Sequence, residues 1–322
     1  MKQSRRNFLL KTGLFAVSAP ILGQSLLSCT SATKTTEVAD TLSGTGIDKF
    51  GIQLWTVKED MAKDPLATLK ALSSDGYKQI ESFGGDKGIF WGYTPTEFKK
   101  ILDDLGLEIV SSHVNPAYTT DLSLEEEFKK LSADAASIGV RYLINPFPGE
   151  LKTDAEWQKV AEGLNRQGQI TKAAGLKTGY HNHHIEFLPT AEGSIPEELL
   201  LKGTDKDLVD FELDLYWNIK AGQQPADWFT NYADRYKLVH VKDLYKAEKV
   251  AEIEAAEKAE GFWPAGASTT IGNGRIDFPS ILKDAKNHGV EYFIVEQERF
   301  DDSTPLQDVK KDAEYMKSFK FA

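Results

Sequence analysis

Eight short apolar runs, at residues 50–54, 78–81, 107–113, 142–145, 176–181, 208–214, 237–240 and 292–296, alternate with stretches of amphipathic helical spacing. A parallel neighbour can be reached only through a crossover, so this alternation builds βα units. Eight such units close into an α/β fold, a (β/α)8 TIM barrel. The linking segments follow helix rules: in residues 122–139 the acids stand early and the lysines later, as the helix dipole favours. Gly76, Gly106, Gly139, Gly175 and Gly289 fall where a helix must stop before the next strand. The predicted barrel is a single domain over residues 48–322. Its longest departure is the stretch 242–277, expected to fold over the barrel mouth with Phe262, Trp263 and Pro264 as an apolar wall.

The ends of the chain and its charge narrow the setting. Ser4-Arg5-Arg6-Asn7-Phe8-Leu9 is a twin-arginine pattern, and the apolar stretch 14–27 behind it is too short for a comfortable membrane span. Cys29 follows Leu26-Leu27-Ser28, which is similar to a bacterial lipobox. Residues 1–28 are therefore expected to be a signal peptide and residues 29–47, rich in Ser, Thr, Ala and Gly, a flexible tether. Such a protein would be exported folded through the twin-arginine route and held by a lipid on Cys29 at the periplasmic side of a membrane. The net charge is -11, and the first 28 residues carry four positive charges and no acid, leaving -15 on the rest. A polyanion would be repelled, which excludes nucleic acid as the expected partner.

With Cys29 the only cysteine, any metal site in the domain must use oxygen and imidazole nitrogen. Four of the runs end on such groups: His181, Asp214, His240 and Glu296. Strand ends converge at the top of a barrel, so these four can share one divalent ion, Mn²⁺, Mg²⁺, Co²⁺ or Zn²⁺, with positions left open for a substrate. His113, His183 and His184 also fall near strand tops, whereas His288 precedes a helix-stopping glycine. Glu296 and His113 are the base candidates. Lys242, two residues past His240 and on its face, can donate to a substrate oxygen or a leaving group. Glu81 and His183 are candidates for polar contacts to a substrate. Trp217, like Trp55, Phe83, Trp91 and Phe147, is a candidate stacking ring. Gly272 and Gly274 sit in a loop that lets backbone approach a ligand, with no following Lys-Ser/Thr to make it a nucleotide cradle. Glu186 and Glu212 are further carboxylates that can join the site.

Residues 180–183 (Tyr-His-Asn-His), 214–217 (Asp-Leu-Tyr-Trp), 240–243 (His-Val-Lys-Asp), 271–278 and Glu296-Gln297 together give a chain that resembles the xylose isomerase-like barrel superfamily of sugar isomerases and epimerases. The resemblance covers residues 48–322 and implies one metal at the ends of strands five to eight, on His181, Asp214, His240 and Glu296. It departs in one respect, since sugar epimerases of this type usually have Glu where His181 stands. The resemblance implies an isomerase or epimerase working through a metal-stabilised enediolate of a sugar or keto-sugar. The alternative is a lyase or hydratase that dehydrates or cleaves a keto-sugar or keto-glycoside. An alternative of another class is a non-catalytic carbohydrate-binding lipoprotein.

Overall fold

The computed structural model describes residues 46–47, 49–260, 266–301 and 303–319. The twin-arginine pattern, Cys29 and the tether up to residue 45 lie outside the described residues, as do Phe262, Trp263 and Pro264. Ile47 packs against the core, and Gly46 lies so near Phe319 that an added Cβ would stand 2.7 Å from its carbonyl oxygen. The last two residues assigned to the tether are thus seated on the domain.

Eight parallel strands close the barrel: β1 (Gly51–Gln53), β2 (Gln79–Phe83), β3 (Glu108–His113), β4 (Tyr142–Asn145), β5 (Lys177–His181), β6 (Val209–Asp214), β7 (Tyr236–Val241) and β8 (Tyr292–Val295). Each pairs with its sequence neighbour, and β1 meets β8 through Gly51 with Ile294 and Ile52 with Val295. All eight lie within two residues of the expected runs, because a strand buried on both faces reads as a short unbroken apolar segment. The fold is the predicted (β/α)8 barrel.

Helix ends follow from local chemistry. Thr94 with Glu97 and Thr153 with Glu156 form capping boxes that open the helices Pro95–Leu105 and Asp154–Ala174. Gly106 and Gly175 end them in the left-handed conformation, where a side chain would be strained. Inside the barrel, Val110, Tyr142, Ile144, Leu238, Tyr292 and Ile294 form an apolar plug. Leu238 and His240 share one face of β7, so the layer above this plug is polar.

Register then gathers the chemistry. His181 lies opposite Glu212, and Asp214 opposite His240. Irregularities interrupt the pairing between Ile80 and Glu81 and between Phe211 and Glu212, at the two strands that bring carboxylates into the interior. The stretch after β7 holds a helix, Ala247–Glu260, and a short antiparallel ribbon of Asp243–Leu244 with Ser268–Thr269 that the sequence pattern did not announce.

Candidate metal centre and active-site cavity

The polar layer is built in two tiers. In the lower tier, Glu81 and Glu212 are fully buried and face three imidazoles. His113 Nε2 donates to Glu81 Oε1 and Glu212 Oε2, both at 3.0 Å. His181 Nδ1 donates to Glu212 Oε2 at 3.0 Å, and His240 Nε2 donates to Glu81 Oε1 at 2.8 Å. Carboxylates only accept, so each contact fixes which ring nitrogen carries the proton. Burial disfavours the charged form of His113, but attraction to Glu81 and hydrogen bonds to Glu212 and Glu81 outweigh it, pushing the ring up to about 9. Burial and the positive charge of His240 hold His181 well below its ordinary value, so its imidazole is neutral. Burial opposes ionisation of Glu81 as well, yet the His113 and His240 rings bring it far below the carboxylate range.

The upper tier holds Asp214, the second nitrogen of His240, Glu296 and Lys242. Donor atoms of Asp214, His240 and Glu296 all lie within 4.8 Å of one another. Asp214 and His240 each have one atom committed to the scaffold, whereas Glu296 Oε2 meets both Lys242 and His240. Asp214 Oδ1 accepts from the Trp217 amide at 2.9 Å, capping the helix Leu215–Lys220, while the buried Oδ2 has no hydrogen-bond partner. His240 Nε2 is held by Glu81, which turns Nδ1 toward Glu296 Oε2 at 3.3 Å and Asp214 Oδ2 at 3.8 Å. His181, with Nδ1 on Glu212, keeps Nε2 as its ligand-capable nitrogen. Buried carboxylates behind metal-capable imidazoles are the usual way to fix tautomer and orientation.

Charge completes the test of fit. Burial, and then the neighbouring Glu296 charge set against Lys242 and His240, leaves Asp214 pushed up to about 7. Added positive charge favours the ionised form of such a carboxylate. An orphaned buried oxygen, a second carboxylate and the His240 ring, once it gives up a proton, are donors that suit a divalent cation of intermediate hardness. Lys242 Nζ donates to Glu296 Oε2 at 3.0 Å and to Glu298, and lies 4.0 Å from Asp214 Oδ2. Its ammonium also sits over the Tyr216 and Trp217 rings at 5.0 and 5.1 Å.

A cavity of about 500 Å³ opens above this centre, lined by His113, His181, His183, Lys242, Glu296 and Glu298 on its polar side and by Trp55, Phe83 and Phe147 on its aromatic side. Burial, with Lys242 next, lowers His183 to about 3, so it meets a ligand as a neutral ring.

Several expected site residues are placed elsewhere. Glu81 lies beneath the cavity, bonded to Gln53, His113 and His240 rather than open to a hydroxyl. Trp217 is buried against His183 and His184 and does not line the cavity. Gly272 and Gly274 turn their amides, both at 2.9 Å, onto Asp243 Oδ2, so their loop approaches a carboxylate of the chain itself. At Gly274 a Cβ would stand 2.2 Å from Asp243 Oδ1, which explains the residue without a ligand. Glu186 is locked by Tyr180 Oη at 2.6 Å and the His183 amide at 2.8 Å, and Glu212 is a barrel-core carboxylate paired with histidines. Sequence reasoning missed Glu298 and Asn115. The signal for Glu298 was its spacing of two from Glu296, the same step that separates Lys242 from His240.

Fold and site define a barrel with a candidate metal cluster at the carboxyl ends of its strands, beneath a cavity of about 500 Å³. Residues 69–319 match the xylose isomerase-like TIM barrel family, and the chain belongs to it. It is 31% identical to a sugar phosphate isomerase/epimerase from Parabacteroides distasonis of known structure, with a TM-score of 0.68 over 87% of this chain and 96% of that one. It is also 28% identical to an inosose dehydratase from Geobacillus kaustophilus, over 66% of this chain and 75% of that protein. An inosose dehydratase from Clostridium perfringens is 33% identical over 51% of this chain, and the alignment spans 55% of that protein's length.

Proposed function

We propose that this chain is a metal-dependent enzyme that removes the proton beside the carbonyl of a keto-sugar or keto-cyclitol and expels the oxygen on the next carbon. The observation that carries this reading is the placement of Lys242, an ammonium bonded at 3.0 Å to the carboxylate best placed to act as base, Glu296, and to a second cavity carboxylate, Glu298. Asp214, His240 and Glu296, with His181 as the fourth, would hold one divalent ion, which when bound supplies Lewis acidity toward the substrate's carbonyl oxygen.

The chain's own residues perform the proton transfers. Burial opposes ionisation of Glu296, but Lys242 and His240 keep it well below the carboxylate range, so it is ionised and ready to accept the proton from carbon. The electron pair of that C–H bond becomes the new carbon–carbon double bond as the neighbouring C–O bond breaks. Lys242 gives a proton to the departing oxygen, and Glu296 returns its proton to Lys242 through their shared hydrogen bond. The net change is loss of water, or of an alcohol where that oxygen carries a substituent. His113, protonated, adds positive charge at the cavity wall where negative charge builds on the substrate.

Epimerisation through the same first step needs a second acid–base group on the opposite face of the substrate. Among the described residues, the carboxylates lining the cavity are Glu296 and Glu298, and both bond the same ammonium. The likeness to inosose dehydratases supports elimination further. The test is proton NMR of the full chain with Mn²⁺ or Mg²⁺ and an inosose in D2O. Loss of the proton next to the carbonyl together with a dehydrated product is expected. Deuterium uptake or a new epimer without dehydration would replace the lyase reading by the isomerase one. Binding with no change in the sugar would point to the carbohydrate-binding alternative.

Export through the twin-arginine pattern and anchoring by Cys29 are part of the same proposal. Cys29→Ala should move the protein from the membrane fraction to the soluble periplasm.

A further inference from the structure

Trp55 is the one exposed aromatic residue among those described, 40% accessible, at the point where three hollows meet. It lines the main cavity, and it also lines a groove of about 180 Å³ shared with Lys58, Glu59, Gln297 and Glu298. A third hollow of about 320 Å³ begins on its other side, with Lys58 and Phe83. Glu298 borders both the main cavity and the polar groove, so Trp55 and Glu298 are wall residues common to the two.

The indole is held, not loose. Lys58 Nζ stands 3.7 Å over the ring, and Phe83 meets it edge-on with centroids 5.1 Å apart. Its amide donates to Gln53 Oε1 at 3.1 Å. The same Gln53 donates through Nε2 to Glu81 Oε1 at 2.7 Å, and Glu81 orients His240. The backbone that carries the ring is thus linked through two side chains to the candidate metal centre.

We propose that Trp55 and the groove beyond it form a second sugar subsite, so that the substrate is a disaccharide or glycoside whose second ring stacks on the indole. This rests on the keto-sugar reading and names its substrate class. A cavity of this size suits a drug-sized ligand, larger than one pyranose ring. The groove pairs an aromatic face with a lysine, two carboxylates and an amide, the donors and acceptors that sugar hydroxyls use and a purely apolar substituent does not. In the elimination, the second ring would leave as the alcohol that receives the Lys242 proton.

The test is equilibrium binding by calorimetry to the full chain, with glucose set against maltose, cellobiose, trehalose and sucrose, none of which needs to react. At least one disaccharide should bind about tenfold tighter than glucose, a gain of about 1.4 kcal/mol. Trp55→Ala should erase that advantage, and Trp55→Phe should restore part of it. Equal affinity for glucose and every disaccharide, or an advantage that Trp55→Ala keeps, overturns the subsite while leaving the sugar reading intact. Failure of every sugar to bind also overturns the subsite, while the keto-sugar reading stands or falls separately on the NMR test with an inosose.

Discussion

His181 has a single buried carboxylate, Glu212, behind one nitrogen, whereas His113 has two carboxylates on a single nitrogen. The first arrangement presents a lone pair and the second holds a proton. His113, raised to about 9 from an ordinary ~6.5, stabilises the fold through its charged form. That contribution is complete below about 6.5 and is lost as pH rises through about 9. Turnover should therefore fall on the alkaline side near pH 9, and His113→Asn should abolish that limb of the pH–rate profile. A limb unchanged in the variant would assign it to another group. Lys242 makes a separate prediction. Burial disfavours its charge, but Glu296, Glu298 and Asp214 hold it protonated well above the lysine range. Lys242→Met should cost turnover about 10²–10⁴-fold, the scale of a lost general acid, with circular dichroism confirming the fold. Residues of this kind were legible where they ended an apolar run, as His181, Asp214, His240 and Glu296 do. Glu298 stands past its strand in a loop, where only its spacing of two from Glu296 marks it, and Gln53 looks like an ordinary strand residue whose role no local pattern shows.

At the scale of elements, the barrel strands and their helices were legible because burial on both faces leaves an apolar run and because caps are local. The ribbon of Asp243–Leu244 and Ser268–Thr269 was not, since two-residue strands are too short to show a period. What fixes it is a single carboxylate: Asp243 accepts from the amides of Leu244, Gly272, Gly274 and Ile276. The sequence motif around Gly272 and Gly274 was visible, but its partner lay nearly thirty residues back and only folding joins them. Close packing of elements was equally hidden. Within the helix Asp154–Ala174, Gly163 lies against the Thr119 carbonyl, and an added Cβ would come within 2.1 Å of that oxygen. Backbone cannot rotate away as a side chain can. Gly163→Ala should cost about 2 kcal/mol by overpacking and lower Tm by ~4–8 °C, read by thermal denaturation. Lys159→Ala, on an exposed position of the same helix, should leave Tm nearly unchanged.

For the molecule as a whole, the donors Asp214, His240 and Glu296 come from the ends of three consecutive strands, β6, β7 and β8, brought to within 4.8 Å of one another. In the unfolded chain they are separated by 26 and 56 residues, so a cation that needs all three binds only the closed barrel. Ligand binding to the folded state alone adds stability by mass action, about 2.7 kcal/mol at a concentration one hundred times Kd. The geometry also gives this effect a particular size and direction. Asp214 is raised to about 7 chiefly by its burial, and repulsion from the ionised Glu296 adds to that. Adding a divalent ion should therefore release a proton from Asp214, bind more tightly as pH rises from 6 to 8, and raise Tm in step. Metal content of the purified chain should be one divalent ion, and Asp214→Ala should lose both the ion and the metal-dependent gain in Tm. Asp214→Ala also removes the helix cap on the Trp217 amide, so its Tm without metal falls as well; the decisive quantity is the difference with and without the ion. A variant that keeps the full metal-dependent gain would show that the cation lies elsewhere, in the lower tier of His113, His181, Glu212 and His240, the second cluster of ligand-capable groups among the described residues.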